Sequence, residues 1–173
     1  TLPSNTALCV GPNIEYLKVE SVNPYTKEPA IYIVAKALLE AHFNEKIPFR
    51  VLGESIKGKE LAGIRYEQLF PWVKCPEGAH KVILGDFVTT EDGTGIVHIA
   101  PTFGADDDKV AKANGVPPLI MVDTAGLNQA MVDPTGKFYA IEDLDSRFVA
   151  ERVNVKEYGK YAGRYVKNEY DPT

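Results

Sequence analysis

The chain alternates short apolar runs with turns that are rich in glycine and proline. Residues 14–19 alternate apolar and polar positions, residues 30–34 form a continuous apolar run, and further short runs follow between Phe49 and Phe87. Runs of this kind predict β-strands, and short strands with regular turn signals predict a barrel or sandwich. The fold class is therefore predicted as α+β, with a β-barrel-like core of short strands and a few peripheral helices.

Three stretches carry helix signals. Residues 35–44 place apolar side chains at helical spacing, residues 105–115 have carboxylates first, lysines later and a closing glycine, and residues 145–152 predict a short helix. A further strand is predicted over residues 117–122. The segment Gln68 to His80 is interpreted as an irregular excursion, and its Trp72, the only tryptophan, as core or rim packing.

The stretch from Gly93 to Lys112 holds most of the candidate chemistry. Residues 96–100 predict a strand that Pro101 ends, and His98 is a polar ring on an otherwise apolar strand. One tight loop separates it from the carboxylates that open the next helix, where helix N–H groups favour negative charge. An ionised carboxylate at such a corner can hold a cation such as an ammonium group. The alternative is structural, with an aspartate as a helix cap and the histidine as a packed strand residue.

Size and charge limit the classes of function. The chain has 173 residues, 45% of them hydrophobic, and is predicted to be a single domain over 1–173 with a linker-like end at 166–173. Its net charge of −5 has the wrong sign for gripping a long stretch of phosphate backbone, so any nucleic-acid partner is expected to touch a small area. No apolar run reaches the length of a membrane span, and the first residue, threonine, suggests a piece of a longer polypeptide.

The cysteines and histidines predict neither a metal site nor disulfide bonds. Cys9 and Cys75 have no CxxC partner, and His42, His80 and His98 show no metal-ligand spacing. Cys9 is expected to be a small buried hydrophobe, and His42 a packing or helix-dipole residue. Free cysteines favour a reducing, cytoplasmic setting.

Two strings resemble one known family. GTGIVHIAPTFGADDD, which begins at Gly93, resembles a motif of the editing (connective-peptide) domain of class I isoleucyl-tRNA synthetases, and the opening TLPSNTALCVGPN resembles the entry strand of that domain. The strings occur in the expected order, and the resemblance covers essentially the whole chain. The leucyl and valyl enzymes carry a different opening, so TLPSN favours the isoleucyl branch.

The resemblance implies hydrolytic editing, in which water cleaves the ester of valyl-tRNA-Ile; valyl-adenylate is an open second substrate. The implied partners are the tRNA-Ile 3′ end carrying valine and the remainder of the parent synthetase chain. No cofactor, no metal and no membrane are implied. A cytoplasmic monomer is expected.

The resemblance also assigns roles to residues. Asp107 matches the editing aspartate that pairs with the substrate ammonium. His98 matches a histidine that lines the amino-acid pocket and helps to exclude the larger side chain, although a general-base role stays open. Phe103 is expected to add apolar wall, and Thr1 and Asn5 belong to the threonine-rich peptide that approaches the ester. The threonines and the Pro-Trp expected before Thr1 are absent, which puts the activity of this chain by itself in question.

Two other functions compete with editing. The chain can be a non-catalytic receiving module for the aminoacylated tRNA 3′ end. It can also be a divalent-metal hydrolase that uses Asp106, Asp107, Asp108 and His98, although consecutive aspartates at a helix start cannot all point at one ion. If the chain is an editing domain, we expect one of Asp106 and Asp108 to cap the helix and the other to face solvent.

Overall fold

The computed structural model describes residues 1–172, and these divide into two compact units. One unit comprises Leu8–Tyr66 and Lys81–His98 and is called the strand unit below. The other comprises Thr1–Ala7, Glu67–His80 and the chain from Ile99 onward and is called the helix unit. The boundary falls inside two strands, after Ala7 and after His98.

The described residues contain eight short strands and five short α-helices. The strands are β1 (Ala7–Val10), β2 (Glu15–Val22), β3 (Pro29–Ala35), β4 (Arg50–Lys57), β5 (Lys81–Leu84), β6 (Ile96–Ile99), β7 (Met121–Val122) and β8 (Asn128–Gln129). The helices are α1 (Leu39–His42), α2 (Gly58–Leu61), α3 (Ala105–Ala113), α4 (Ser146–Arg152) and α5 (Val155–Tyr158). Short 3-10 turns lie at Leu2–Ser4, Lys36–Leu38, Ile141–Asp143 and Asn168–Tyr170.

In the strand unit, β2 is the centre of a three-stranded antiparallel sheet. It pairs with β3 on one side and β4 on the other, so that Val19 lies opposite both Tyr32 and Val51. A register shift between Tyr16 and Lys18 in the pairing with β4 interrupts the alternation, and both Tyr16 and Leu17 are buried. From Lys18 to Val22 the alternation is regular, and it places the buried Val19 and Ser21 on the face that joins the core.

A second three-stranded sheet has the order β5–β1–β6. The buried Tyr16 hydroxyl accepts a hydrogen bond from the Gly11 N–H at 3.0 Å and donates one to the Gly95 carbonyl at 2.6 Å. One side chain of β2 therefore ties the turn after β1 to the turn before β6. The buried core of this unit consists of Val10, Tyr16, Leu17, Val19, Val34, Ala35, Leu38, Phe43 and Leu61.

The helix unit has little sheet and is packed around aromatic side chains. Trp72 lies edge-on to Phe138 at 5.6 Å between ring centroids and stacks on Tyr161 at 4.6 Å. Helix α4 begins after Asp145, whose carboxylate accepts the Phe148 N–H at 2.8 Å. The buried core of this unit consists of Trp72, Val73, Leu119, Met121, Met131, Phe138, Leu144, Phe148 and Tyr158.

The α+β class is confirmed, with short strands in small sheets, none of which closes into a barrel within residues 1–172. Helices α3 and α4, the buried Cys9 and the core position of Trp72 are also as predicted. The helix predicted over residues 35–44 is only a 3-10 turn followed by the single turn of α1. The strand predicted over 117–122 shortens to β7, since Pro117 and Pro118 donate no backbone hydrogen bond.

Two predictions about domain limits stay predictions. The single domain over 1–173 is not decided by the division into two units, and the linker-like end at 166–173 includes Thr173, which lies outside the described residues. Residues 168–170 of that end form a 3-10 turn. No helix within residues 1–172 is long and apolar enough to cross a membrane.

Candidate functional site

The first turn of α3 binds back to the end of β6 through Asp107. The Asp107 Oδ2 atom accepts a hydrogen bond from the Ala100 N–H at 3.0 Å and so closes the loop of residues 101–104. Gly104, the N-cap residue, makes room for this contact, because a Cβ atom there would lie 3.3 Å from the Asp107 Cγ atom. The conformation of this loop therefore fixes the position of the Asp107 carboxylate.

The second oxygen of Asp107 has no such contact. Across residues 1–172, no side chain or backbone group donates a hydrogen bond to Asp107 Oδ1 or forms an ion pair with this carboxylate. The residue is half-buried, so one oxygen is held by the backbone and the other can receive a ligand. A fixed carboxylate with a vacant acceptor suits a cation that donates hydrogen bonds, such as an ammonium group.

The neighbouring aspartates match the predicted roles only in part. Gly104 caps α3 without any side-chain cap hydrogen bond, so the expectation that Asp106 or Asp108 caps the helix is wrong. Asp108 instead pairs with Lys112 one turn later at 2.6 Å. Asp106 faces solvent as predicted, with its side chain 98% exposed.

Asn5 holds the residue before Ala100. Its side chain is buried, and its Nδ2 atom donates to the Ala7 carbonyl at 2.6 Å and to the Ile99 carbonyl at 3.4 Å. The Thr6 N–H also donates to the Ile99 carbonyl at 2.9 Å. Asn5 and Asp107 are thus brought together on two consecutive residues, Ile99 and Ala100.

Thr1 and Phe103 are the exposed members of the set in the helix unit. Thr1 precedes the Leu2–Ser4 turn, and its carbonyl accepts the Ser4 N–H at 2.9 Å. Phe103 is 40% exposed on the loop that Asp107 closes, where an apolar ring is available to a ligand.

His98 belongs to the strand unit and is exposed in β6. The sequence places it directly before Ile99, the residue that Asn5 holds. Asp107, Asn5, Thr1 and Phe103 share the helix unit, so four of the five predicted site residues lie in one unit.

Two buried hydroxyl groups were not singled out from the sequence. Within the described chain, the Oγ1 atoms of Thr6 and Thr102 are buried and have no hydrogen-bond partner. Leaving such a group unpaired costs roughly 1–3 kcal/mol, so each is a candidate contact for a ligand or water. Thr6 follows Asn5, and Thr102 lies in the loop before Asp107. The only sequence signal for either threonine was its position within one of the two strings that resemble the editing domain.

The three aspartates do not converge. Asp106 points to solvent, Asp107 binds the Ala100 N–H and Asp108 pairs with Lys112. In the part of the chain that the structure describes, no group of three or more histidine, cysteine, aspartate or glutamate side chains is arranged to hold a metal ion. Among residues 1–172, the three aspartates and His98 therefore do not form the set of ligands that the metal-hydrolase alternative requires.

Comparisons with known proteins identify the family. Over 187 aligned residues that cover 99% of this chain, it is 58% identical to the isoleucine–tRNA ligase of Bacteroides fragilis and 55% identical to that of Porphyromonas gingivalis. The ligase of Treponema denticola is 39% identical over 90% of the chain. The chain belongs, as a segment, to the isoleucine–tRNA ligase family. It spans 16% of the Bacteroides and Porphyromonas ligases and 15% of the Treponema ligase. No family model matches it.

The fold agrees with this assignment. The ligase segment matches the crystal structure of GlLeuRS-CP1 with a TM-score of 0.50 at 17% identity, covering 98% of this chain and 72% of that chain. At such an identity the match concerns the fold alone. With the ligase relatives, it confirms the resemblance to the connective-peptide editing domain of isoleucyl-tRNA synthetases.

Proposed function

We propose that this ligase segment removes valine from misacylated tRNA-Ile. Water attacks the ester carbonyl of valyl-tRNA-Ile, the bond to the ribose oxygen breaks, and free valine and the uncharged tRNA 3′ end leave. Family membership and the connective-peptide fold support an editing domain. The substrate is the further step that we propose, with valyl-adenylate as a second substrate for the same pocket.

The need for such a site follows from a limit on binding energy. Valine lacks one methylene of isoleucine, and for this pair, the best-known instance of the limit, the difference is worth only ~1–3 kcal/mol. A synthetic site alone therefore accepts valine too often. A second pocket that admits the smaller product and excludes the larger one restores the accuracy.

The observation that carries the proposal is the half-bonded carboxylate of Asp107. Its Oδ2 atom is held by the Ala100 N–H, and its Oδ1 atom is vacant within residues 1–172. The ammonium of an aminoacyl ester lies on the carbon next to the reacting carbonyl. A carboxylate that binds this ammonium therefore fixes the carbonyl as well, which is the positioning contribution to catalysis.

Other residues are proposed to take part in the same reaction. Asn5 fixes Ile99, Phe103 supplies apolar wall, and Thr1 lies on the peptide that approaches the ester. His98 is proposed to limit the length of the side chain, with general-base catalysis as the alternative role. No cofactor and no metal ion are part of the proposed reaction. The partners are the valine-bearing tRNA-Ile 3′ end and the rest of the ligase chain, in a cytoplasmic monomer.

The test compares deacylation of valyl-tRNA-Ile and isoleucyl-tRNA-Ile with chelator present. It uses the full-length ligase that carries this segment and, separately, the 173-residue chain. Faster hydrolysis of the valyl ester by the ligase supports editing. Hydrolysis of neither ester, with the aminoacylated 3′ end still bound, supports the receiving module, and loss of hydrolysis on chelation supports the metal reading.

A further inference from the structure

The end of the helix unit differs in charge from the rest of the chain. Residues 152–172 carry five lysine and arginine side chains against three carboxylates, whereas the whole chain has a net charge of −5. Four tyrosines alternate with these cations, in the string KEYGKYAGRYVKNEY that begins at Lys156. Interleaved cations and aromatic rings are typical of surfaces that bind single-stranded nucleic acid.

This segment borders a groove of about 550 Å³ in the helix unit. Its polar lining comes from Lys137, Arg164, Tyr165, Asn168 and Asp171. The groove is held by backbone hydrogen bonds on both sides, from the Phe138 N–H to the Arg164 carbonyl at 2.9 Å and from the Val166 N–H to the Gly136 carbonyl at 2.9 Å. Lys137 and Arg164 therefore lie on two segments that backbone hydrogen bonds join, and not on a free loop.

The two cations of the groove are not neutralised by carboxylates. Within residues 1–172, neither Lys137 nor Arg164 forms an ion pair, whereas Lys160 pairs with Glu157 and Lys167 with Glu169. The Lys137 Nζ atom lies 4.7 Å from the centre of the Tyr165 ring, which holds the ammonium without cancelling its charge. The groove consequently has positive charge available for an anion, with Asp171 as its one carboxylate.

We propose that the groove between Lys137 and Arg164 binds the phosphate backbone of the single-stranded 3′ end of tRNA. This inference rests on the proposed function, because it takes the tRNA end as the partner. Lys137 and Arg164 bind one or two phosphates, and Tyr165 and Asn168 offer a ring face and an amide to the adjoining nucleoside. The small number of contacts suits a chain with an overall negative charge, which sees an RNA end and not a long duplex.

The experiment measures binding of uncharged tRNA-Ile to the 173-residue chain and to the full-length ligase by fluorescence anisotropy, at several salt concentrations. The test variant is K137Q/R164Q, which removes both positive charges and keeps polar, unbranched side chains at the two positions. The matched control is K27Q/K46Q, which removes two exposed cations of the strand unit. A tRNA trimmed of its single-stranded 3′ end is the second ligand.

K137Q/R164Q is expected to weaken binding of intact tRNA about tenfold and to lower the slope of log K against log salt by about 1. The control variant and the trimmed tRNA are expected to show no such difference. Equal weakening by both variants, an unchanged salt slope, or no binding by the unaltered chain and ligase at low salt overturns the inference. These readouts do not depend on hydrolysis. If K137Q/R164Q binds intact tRNA as tightly as the unaltered protein and valyl ester cleavage persists, the groove inference fails while the proposed editing function stands.

Discussion

Asn5 and Asp107 bind two consecutive residues of the same strand end. Asn5 donates to the Ile99 carbonyl at 3.4 Å, and Asp107 accepts the Ala100 N–H at 3.0 Å. The first lies near the start of the chain and the second about a hundred residues later, so the strand end is fixed from two sides. This arrangement gives the carboxylate one bonded and one vacant oxygen, which is the basis of the proposed ammonium site.

Replacement of Asn5 tests whether this double hold matters. Asn5→Ala removes a buried amide that donates to two carbonyls, and we expect a loss of roughly 1–3 kcal/mol in the free energy of unfolding. Valyl ester hydrolysis is expected to fall as well, because Ile99 and the neighbouring Ala100 lose their position. Urea unfolding and deacylation measure the two effects.

The control for this change is Asn13→Ala, since Asn13 is exposed in the strand unit. Unfolding free energy and hydrolysis should both stay within error in the control. A fully stable and fully active Asn5→Ala variant would show that the amide contributes nothing to the strand end or to the site.

His98→Ala distinguishes the two roles left open for the histidine. If the imidazole limits the side chain, its removal admits isoleucine, and hydrolysis of isoleucyl-tRNA-Ile should rise about tenfold relative to the valyl ester. The measurement is the ratio of the two deacylation rates in the full-length ligase. An equal fall in both rates would instead indicate the general-base role.

The alternating strands, the carboxylate-first helix and the capped helix after Asp145 were predictable, because local periodicity and end signals produce them. The contact between Asp107 and Ala100 was not predictable from periodicity, which treats three consecutive aspartates alike. The structure separates them by exposure and by partner, and only the family resemblance had singled out Asp107 beforehand. Residues 35–44 show that periodicity can also predict too much helix. Their apolar side chains have helical spacing, yet the segment after β3 forms only a 3-10 turn and the single turn of α1.

The Tyr16 hydroxyl is expected to stabilise the turn after β1 and the turn before β6. Tyr16→Phe leaves the Gly11 N–H and the Gly95 carbonyl without their partner, and the loss should be roughly 1–3 kcal/mol in unfolding free energy. Urea denaturation gives the value. Tyr25→Phe is the matched control, because Tyr25 is 92% exposed, and similar stability of the two variants would contradict the assigned role.

The turn before β8 is expected to make stability depend on pH. Hydrogen bonds from the Leu127 N–H, the Gln129 side chain and the Ala125 N–H lower the pKa of Asp123 below its ordinary value. The carboxylate therefore stabilises the fold above the unfolded-state pKa of about 3.9, and this contribution is lost as the pH falls through the lower folded-state pKa.

Thermal unfolding of Asp123→Asn against the unaltered chain between pH 2 and 7 measures this effect. The variant should unfold at a lower temperature at neutral pH, and the two melting temperatures should converge at the acid end. Asp92→Asn, a change of an exposed aspartate in the turn before β6, serves as the control. A difference that does not vary with pH would contradict the assignment.

The proposal that Asp107 binds the substrate ammonium is tested most directly by the rate at which an Asp107→Ala full-length ligase deacylates valyl-tRNA-Ile. The comparison is with Asp106→Ala. Loss of a charge-assisted contact with the ammonium should slow hydrolysis about 10- to 100-fold. The Asp106 side chain is 98% exposed, so its variant should keep the full rate. An Asp107→Ala ligase that hydrolyses the valyl ester as fast as the unaltered ligase would contradict the account of the site.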